Sequence, residues 1–112
     1  MKNILFICSA NKDRSKTAED YFSEKYPNRN FESAGTNQKV CNQLGTNFIE
    51  MEKLDWADSI YVMETKHENY VNQFSENEFR NKIDVLYIRD VYKYYQKELI
   101  QILNEKLDFC DC

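Results

Sequence analysis

Strand-type and helix-type segments alternate along this chain, and that alternation constrains the fold more than any other feature. Residues 3–7 (NILFI) form a nearly unbroken apolar run of strand length. Residues 17–26 follow with Ala18, Tyr21, Phe22 and Tyr26 on one helical face, until Pro27 ends the helix. Residues 30–34 give a short second strand, with Phe31 and Ser33 opposing Glu32, closed by Gly35 in a turn; residues 47–54 suggest a second helix. Residues 59–63 (SIYVM) read as a buried strand, and residues 67–74 as a helix with His67, Tyr70, Val71 and Phe74 at helical spacing. Residues 83–88 read as a fourth strand, and residues 96–107 as a last helix carrying Leu99, Ile100, Leu103 and Leu107 in register. The order is βαβαβαβα. Parallel strands need crossover connections and, when buried, read as continuous apolar runs, so this order favours a parallel sheet covered by helices on both faces.

A chain of 112 residues supports one layered core, and one domain spanning residues 1–112 is expected. Hydrophobic content of 42% with 30% charged residues fits a soluble globular protein, and two glycines and one proline argue for short loops. The net charge is −4, with basic residues scattered among more numerous acidic ones, which argues against a nucleic-acid partner. The apolar stretch after Lys2 is too short for a secretory core or a membrane span, so a cytoplasmic protein without membrane association is expected. In a reducing compartment Cys8, Cys41, Cys110 and Cys112 read as thiols, and their positions lack zinc-site spacing; no metal is expected.

In parallel α/β sheets, ligands bind beyond the carboxyl ends of the strands. Cys8 stands at that end of the first strand, and CSANKDRS (residues 8–15) links it to the first helix. A short polar loop of this kind can wrap its backbone N–H groups around an anion, while the helix N-terminus adds further donors and the positive end of its dipole. A thiolate is stabilised there, which makes Cys8 a candidate nucleophile. Arg14 offers a planar fork for two oxygens of a phosphoryl or arsenate group, and Ser15 could cap the helix or donate to the sulfur. The candidate phosphate-binding residues are Ser9, Ala10, Asn11, Lys12, Asp13, Arg14 and Ser15.

The other chemistry-bearing residues have plainer readings. Tyr21, Tyr26, Phe48, Tyr61, Tyr70 and Phe74 fall on expected core faces. His67 has no partner at ligand spacing and reads as a helix-surface or core residue, and Trp56 as an anchor of a helix-to-strand turn. Cys41 lies in a polar loop, NQKVCNQ, while the CDC tail of Cys110 and Cys112 reads as a frayed terminus.

ILFICSANKDRSKTAEDYF (residues 4–22) resembles the N-terminal signature of the low-molecular-weight protein-tyrosine phosphatases, in particular a shorter group of about this length. ESAGT (32–36) resembles the family's second-strand segment, WADSIYVMETKH (56–67) its third strand and following helix, and IRDVYKYYQKELI (88–100) the segment with the acid loop. The resemblance implies an α/β fold in three layers: a four-stranded parallel sheet in the order 2-1-3-4 with helices on both faces. It also implies a cysteine-dependent phosphatase that needs no cofactor and acts on a phosphorylated substrate, either protein phosphotyrosine or a small phosphate monoester, or binds an inorganic oxyanion. Cys8 would attack phosphorus to form a phosphocysteine, while Arg14 and the N–H groups of residues 9–14 hold the equatorial oxygens. Asn11 would stiffen the loop in the left-handed conformation that asparagine tolerates, tied to Ser33, with Ser15 as further support. Asp90 would protonate the leaving oxygen and then activate water.

Several residues depart from the family pattern. Val91 replaces a proline after Asp90, and Asp84, a second carboxylate, lies at the start of its strand, the wrong end for chemistry. Ala10 replaces a glycine, and Ser9 and Lys12 stand where the longer enzymes grip a substrate ring with apolar side chains. Asp13 stands where many of them carry a second cysteine; a carboxylate there opposes phosphate binding unless it points outward. Tyr92, Tyr94 and Tyr95 are candidates for a pocket wall. The shorter chain implies reduced walls around the pocket, which suits a small or flexible substrate. Two rivals share the cysteine-to-arginine loop: an arsenate reductase using Cys41 as resolving thiol, and a degenerate module that binds phosphate or a phosphoprotein without turnover. A phosphocysteine carrier of the sugar-transport type begins similarly but lacks the arginine.

Overall fold

The computed structural model describes residues 2–110. Its four strands are β1 (Asn3–Cys8), β2 (Asn30–Gly35), β3 (Ser59–Val62) and β4 (Ile83–Val85), all parallel in the order β2-β1-β3-β4. The helices are α1 (Arg14–Lys25), α2 (Gln38–Leu44), α3 (Met51–Trp56), α4 (Thr65–Phe74) and α5 (Lys97–Lys106). The class and layering are those expected from the alternation of segments, and the strand order is the one the family resemblance implies.

β1 is central, and its alternation feeds two cores. Ile4, Phe6 and Cys8 face a cluster with Ala18 and Phe22 of α1 and Leu99 and Leu103 of α5. Leu5 and Ile7 face the opposite cluster, with Leu54 of α3 and Val71 of α4. Phe6 stacks on Phe22 and Tyr61, each at 5.8 Å between ring centroids. Burial of each such ring contributes about 1.5–3 kcal/mol. Because β1 has neighbours on both edges and helices on both faces, its carboxyl end is held rigidly where the loop of Cys8 begins.

Several boundaries differ from the sequence expectation. α1 begins at Arg14 rather than residue 17, because its first turn buries Arg14, Ser15 and Thr17, polar side chains that no apolar pattern marks. α2 falls where the sequence reads as a polar loop: only Cys41 of its residues is buried, so it has no apolar stripe, yet it is capped by Asn37 Oδ1 accepting from Val40 N (3.1 Å) and ended by Gly45 at φ 71°. Residues 47–49 are extended rather than helical, since Gly35 donates to Asn47 O (2.8 Å) and accepts from Ile49 N (3.0 Å), lengthening β2's edge. β4 pairs with β3 from Ile83 only as far as Val85; Tyr87 at φ 58° breaks the strand, although Leu86 N and Ile88 N still bond to Val62 O and Met63 O at 2.8 Å. On α4 the buried stripe is His67 and Val71, so Tyr70 and Phe74 are exposed and stack on each other instead of entering the core. Cys110 is disulfide-bonded, not the free thiol expected of a reducing compartment; Cys8 and Cys41 are free, and Cys112 lies outside the described residues. No helix among the described residues is long and apolar enough to cross a membrane.

Gly35 is fixed by close approach. A Cβ there would meet Ser9 O at 2.5 Å, Cys41 Sγ at 2.7 Å and Asn11 N at 3.0 Å. Gly35→Ala must therefore displace either the loop after Cys8 or α2. A loss of about 1–3 kcal/mol in urea unfolding is expected; an unchanged midpoint would show that the loop yields freely.

Candidate active site

The loop from Cys8 to Arg14 is organised by where its carbonyls go. Cys8 O accepts from Thr36 N (3.0 Å), Ser9 O from Asn37 N (2.9 Å), Ala10 O from Thr46 Oγ1 (2.6 Å) and Asp13 O from Thr17 N (2.9 Å). With these oxygens turned to the β2–α2 scaffold and into α1, the N–H groups of residues 9–14 donate to no protein acceptor among the described residues. Converging free N–H groups beside a helix N-terminus form an anion site. Cys41, in α2, is buried with its Sγ 3.6 Å from Ala10 O and 3.9 Å from Ser9 O. It lies on the carbonyl side of the loop, whereas Cys8 Sγ faces Ser15.

Asn11 is in the left-handed conformation (φ 55°) and buried. Its Nδ2 donates to Ser33 Oγ (2.7 Å) and Ser15 Oγ (3.0 Å), and its Oδ1 accepts from Asn47 N (3.1 Å). These bonds fix the direction of two hydroxyl protons. Ser33, already an acceptor, donates to Glu19 Oε1; Ser15, also an acceptor, directs its proton at Cys8 Sγ 3.0 Å away. Glu19, at the far end of this chain, was not singled out from the sequence.

Arg14 is 2% exposed, a charge that needs partners inside the protein. Its Nη1 donates to Glu64 Oε2 (2.5 Å) and Ile88 O (2.8 Å). The Nε edge lies 3.7 Å from Asp90 Oδ1, so the two N–H groups of the fork, on Nε and Nη2, remain for an oxyanion. The hydrogen bond from Arg14 holds the Glu64 carboxyl below its ordinary value.

Asp90 is mostly exposed, and the segment that carries it has no proline to fix it. It is held instead against α1: Tyr94 N donates to Asp13 Oδ1 (2.9 Å), Tyr95 N to Thr17 Oγ1 (2.8 Å) and Tyr94 Oη to Asp20 Oδ2 (2.5 Å). The bond to Asp20 pushes the Tyr94 phenol up to about 12. Asp13 therefore turns its carboxylate to the segment after Asp90. Lys12 is exposed at the loop tip, and Asp84 is exposed on β4, paired in register with Tyr61 and apart from this group. Among the described residues no cluster of three or more potential metal ligands occurs.

Glu64, like Glu19, was not singled out from the sequence; His67, expected on the helix surface or in the core, is buried, and Glu64 and His67 close a capping box at the start of α4. Glu64 N donates to His67 Nδ1 (3.0 Å), so the neutral ring carries its proton on Nε2, which donates to Ser9 Oγ (2.9 Å). One helix start thus grips the loop at Ser9 and at Arg14. Burial, and then the charge of Arg14, push His67 down to about 4. The unfolded chain takes up this proton first, so the His67 contribution to stability falls as pH drops from 6.5 to about 4 and is constant below. His67→Gln keeps an acceptor for the capping box, and it should flatten a pH-dependent loss on the order of 2–3 kcal/mol in that window. A wild-type unfolding midpoint independent of pH there would contradict the neutral, buried ring.

The chain is 35% identical over 98 residues to the low molecular weight protein-tyrosine-phosphatase PtpB of Staphylococcus aureus, a match covering 88% of this chain and 61% of that protein. Over those 98 residues the chain is similar in sequence to a low-molecular-weight protein-tyrosine phosphatase. It spans about three fifths of the length of that relative, with 61% covered. No family model matches it. Among solved structures, Wzb of Vibrio vulnificus in complex with benzylphosphonate has TM-score 0.72 at 20% identity, covering 94% of this chain and 93% of that one. The tyrosine phosphatase AmsI of Erwinia amylovora has TM-score 0.71 at 23% identity, covering 92% and 84%. The YwlE arginine phosphatase of Geobacillus stearothermophilus has TM-score 0.67 at 20% identity, covering 95% and 92%. At these identities the solved structures show a shared fold.

Proposed function

We propose that this chain is a cysteine-dependent phosphatase that hydrolyses phosphate monoesters through a phosphocysteine. Cys8 Sγ attacks phosphorus as the bond to the leaving oxygen breaks, and Asp90 gives that oxygen its proton. Asp90 then takes a proton from water, whose oxygen attacks phosphorus, and the S–P bond breaks to restore the thiolate. Arg14 and the N–H groups of residues 9–14 hold the three equatorial oxygens as charge shifts. Asn11, Ser15 and Ser33 keep the loop in shape. The names of its relatives, tyrosine phosphatases and an arginine phosphatase, support a phosphoryl substrate.

The observation that carries this reading is the setting of Arg14: buried, held on one nitrogen by Glu64 and Ile88, with its open edge beside Asp90. The placement of Cys41 on the carbonyl side of the loop favours a phosphatase over an arsenate reductase, which would need a resolving thiol facing Cys8.

With p-nitrophenyl phosphate, rapid-mixing kinetics should show a stoichiometric burst of nitrophenol. Cys8→Ser should abolish it, with turnover lowered more than ~10³-fold. Asp90→Asn should slow an alkyl phosphate, a poor leaving group, by about 10²-fold or more, and the aryl phosphate less. Turnover surviving in Cys8→Ser, or no burst from acid to neutral pH, would overturn the phosphatase reading.

A further inference from the structure

One cavity outside the loop shares walls with the candidate active site. It has a volume of about 310 Å³ and is lined by Glu64, Thr65, Lys66, Tyr87, Ile88 and Arg89. Glu64 and Ile88 are the residues that hold Arg14 Nη1, so the cavity lies against the outer side of that guanidinium. Asp90, which follows Arg89, approaches Arg14 Nε. A substrate whose leaving oxygen meets Asp90 therefore has this cavity beside it.

The charge balance of the cavity is positive, although the chain carries −4 overall. Glu64 is neutralised by Arg14, and Lys66 Nζ lies 3.9 Å from the same carboxylate oxygen. Arg89 is exposed and makes no ion pair among the described residues. Thr65 and Lys66 form the first turn of α4, whose dipole adds to the positive field. Tyr87 is 72% exposed, with its backbone in the left-handed region, so its ring stands at the rim and serves no core. Two cations beside an exposed aromatic ring match a carboxylate carried on a chain with some apolar surface, and Arg89 can take both carboxylate oxygens.

We infer that this cavity is a subsite for a phosphorylated polypeptide bearing a carboxylate next to its phosphorylated residue, with Arg89 and Lys66 as the cations and Tyr87 as an apolar wall. The inference rests on the phosphatase reading for the position of the phosphoryl group. An extended chain advances about 3.3 Å per residue, so an Asp or Glu one or two positions away has the reach.

The test is binding of fluorescein-labelled phosphotyrosine peptides, flanked by Glu, Ala or Lys, to Cys8→Ser protein, read by fluorescence anisotropy at low salt. The Glu-flanked peptide should bind roughly five-fold tighter than the Ala-flanked one, and the Lys-flanked one most weakly. Arg89→Ala and Lys66→Ala, each added to Cys8→Ser, should bring that ratio toward one; the ratio cancels any effect on the loop itself. A ratio of one in the parent, or a preference intact in both variants, overturns the subsite. A nitrophenol burst from wild-type protein alongside a ratio of one sinks the subsite alone, whereas no burst and no peptide binding sink the phosphatase reading with it. A preserved preference without a burst supports the subsite on a protein that only binds.

Discussion

Everything at the carboxyl end of this sheet depends on one buried cation. Arg14 sits at the start of α1 with almost no exposure, and a guanidinium cannot shed its charge, so the fold must supply oxygens around it. Two elements distant in sequence do so: α4 brings Glu64, and the segment after β4 brings the carbonyl of Ile88. Removing one partner of such a pair leaves an uncompensated charge, which costs on the order of 3–5 kcal/mol in fully buried cases, and less here because Glu64 is partly exposed. Arg14 thereby orders the rim of the site as well as its floor.

The loop is built so that its own polarity is settled before any ligand arrives. Its carbonyls are taken by Thr36, Asn37 and Thr46, and its one left-handed residue, Asn11, ties it to β2 and to residue 47. The hydroxyl chain from Glu19 through Ser33, Asn11 and Ser15 ends at the Cys8 sulfur. Preorganised donors of this kind need no rearrangement as charge develops, which is where electrostatic catalysis gains most. The segment that carries Asp90 follows another principle: without proline at position 91, it is restrained by hydrogen bonds from Tyr94 and Tyr95 to Asp13 and α1.

Much of this was legible in the sequence where the signal is local and periodic. The strand of residues 3–7, the polar loop after it and the alternation of segments were enough for the sheet and for the position of Cys8. The tie of Asn11 to Ser33 is implied by the family resemblance, and the structure contains it. What escaped has long-range or non-periodic causes. α2 presents no apolar stripe, and its one buried side chain, Cys41, looked like part of a polar loop. His67 was read as a bland residue because its partners, Ser9 and the backbone of Glu64, are not metal ligands and do not stand at ligand spacing. Glu64 was missed because its partner lies 50 residues away. The outward turn of Asp13 depends on Tyr94, which is 81 residues distant.

The central claim is that the first crossover forms a tetrahedral oxyanion cradle over the Cys8 sulfur. A crystal structure of the protein soaked in tungstate or vanadate tests it most directly. The account predicts the metal oxyanion directly over Cys8 Sγ, with oxygens bonded to Nε and Nη2 of Arg14 and to the N–H groups of residues 9–14. An empty loop at saturating oxyanion, or the ion bound elsewhere with Arg14 still engaged by Asp90, would contradict it.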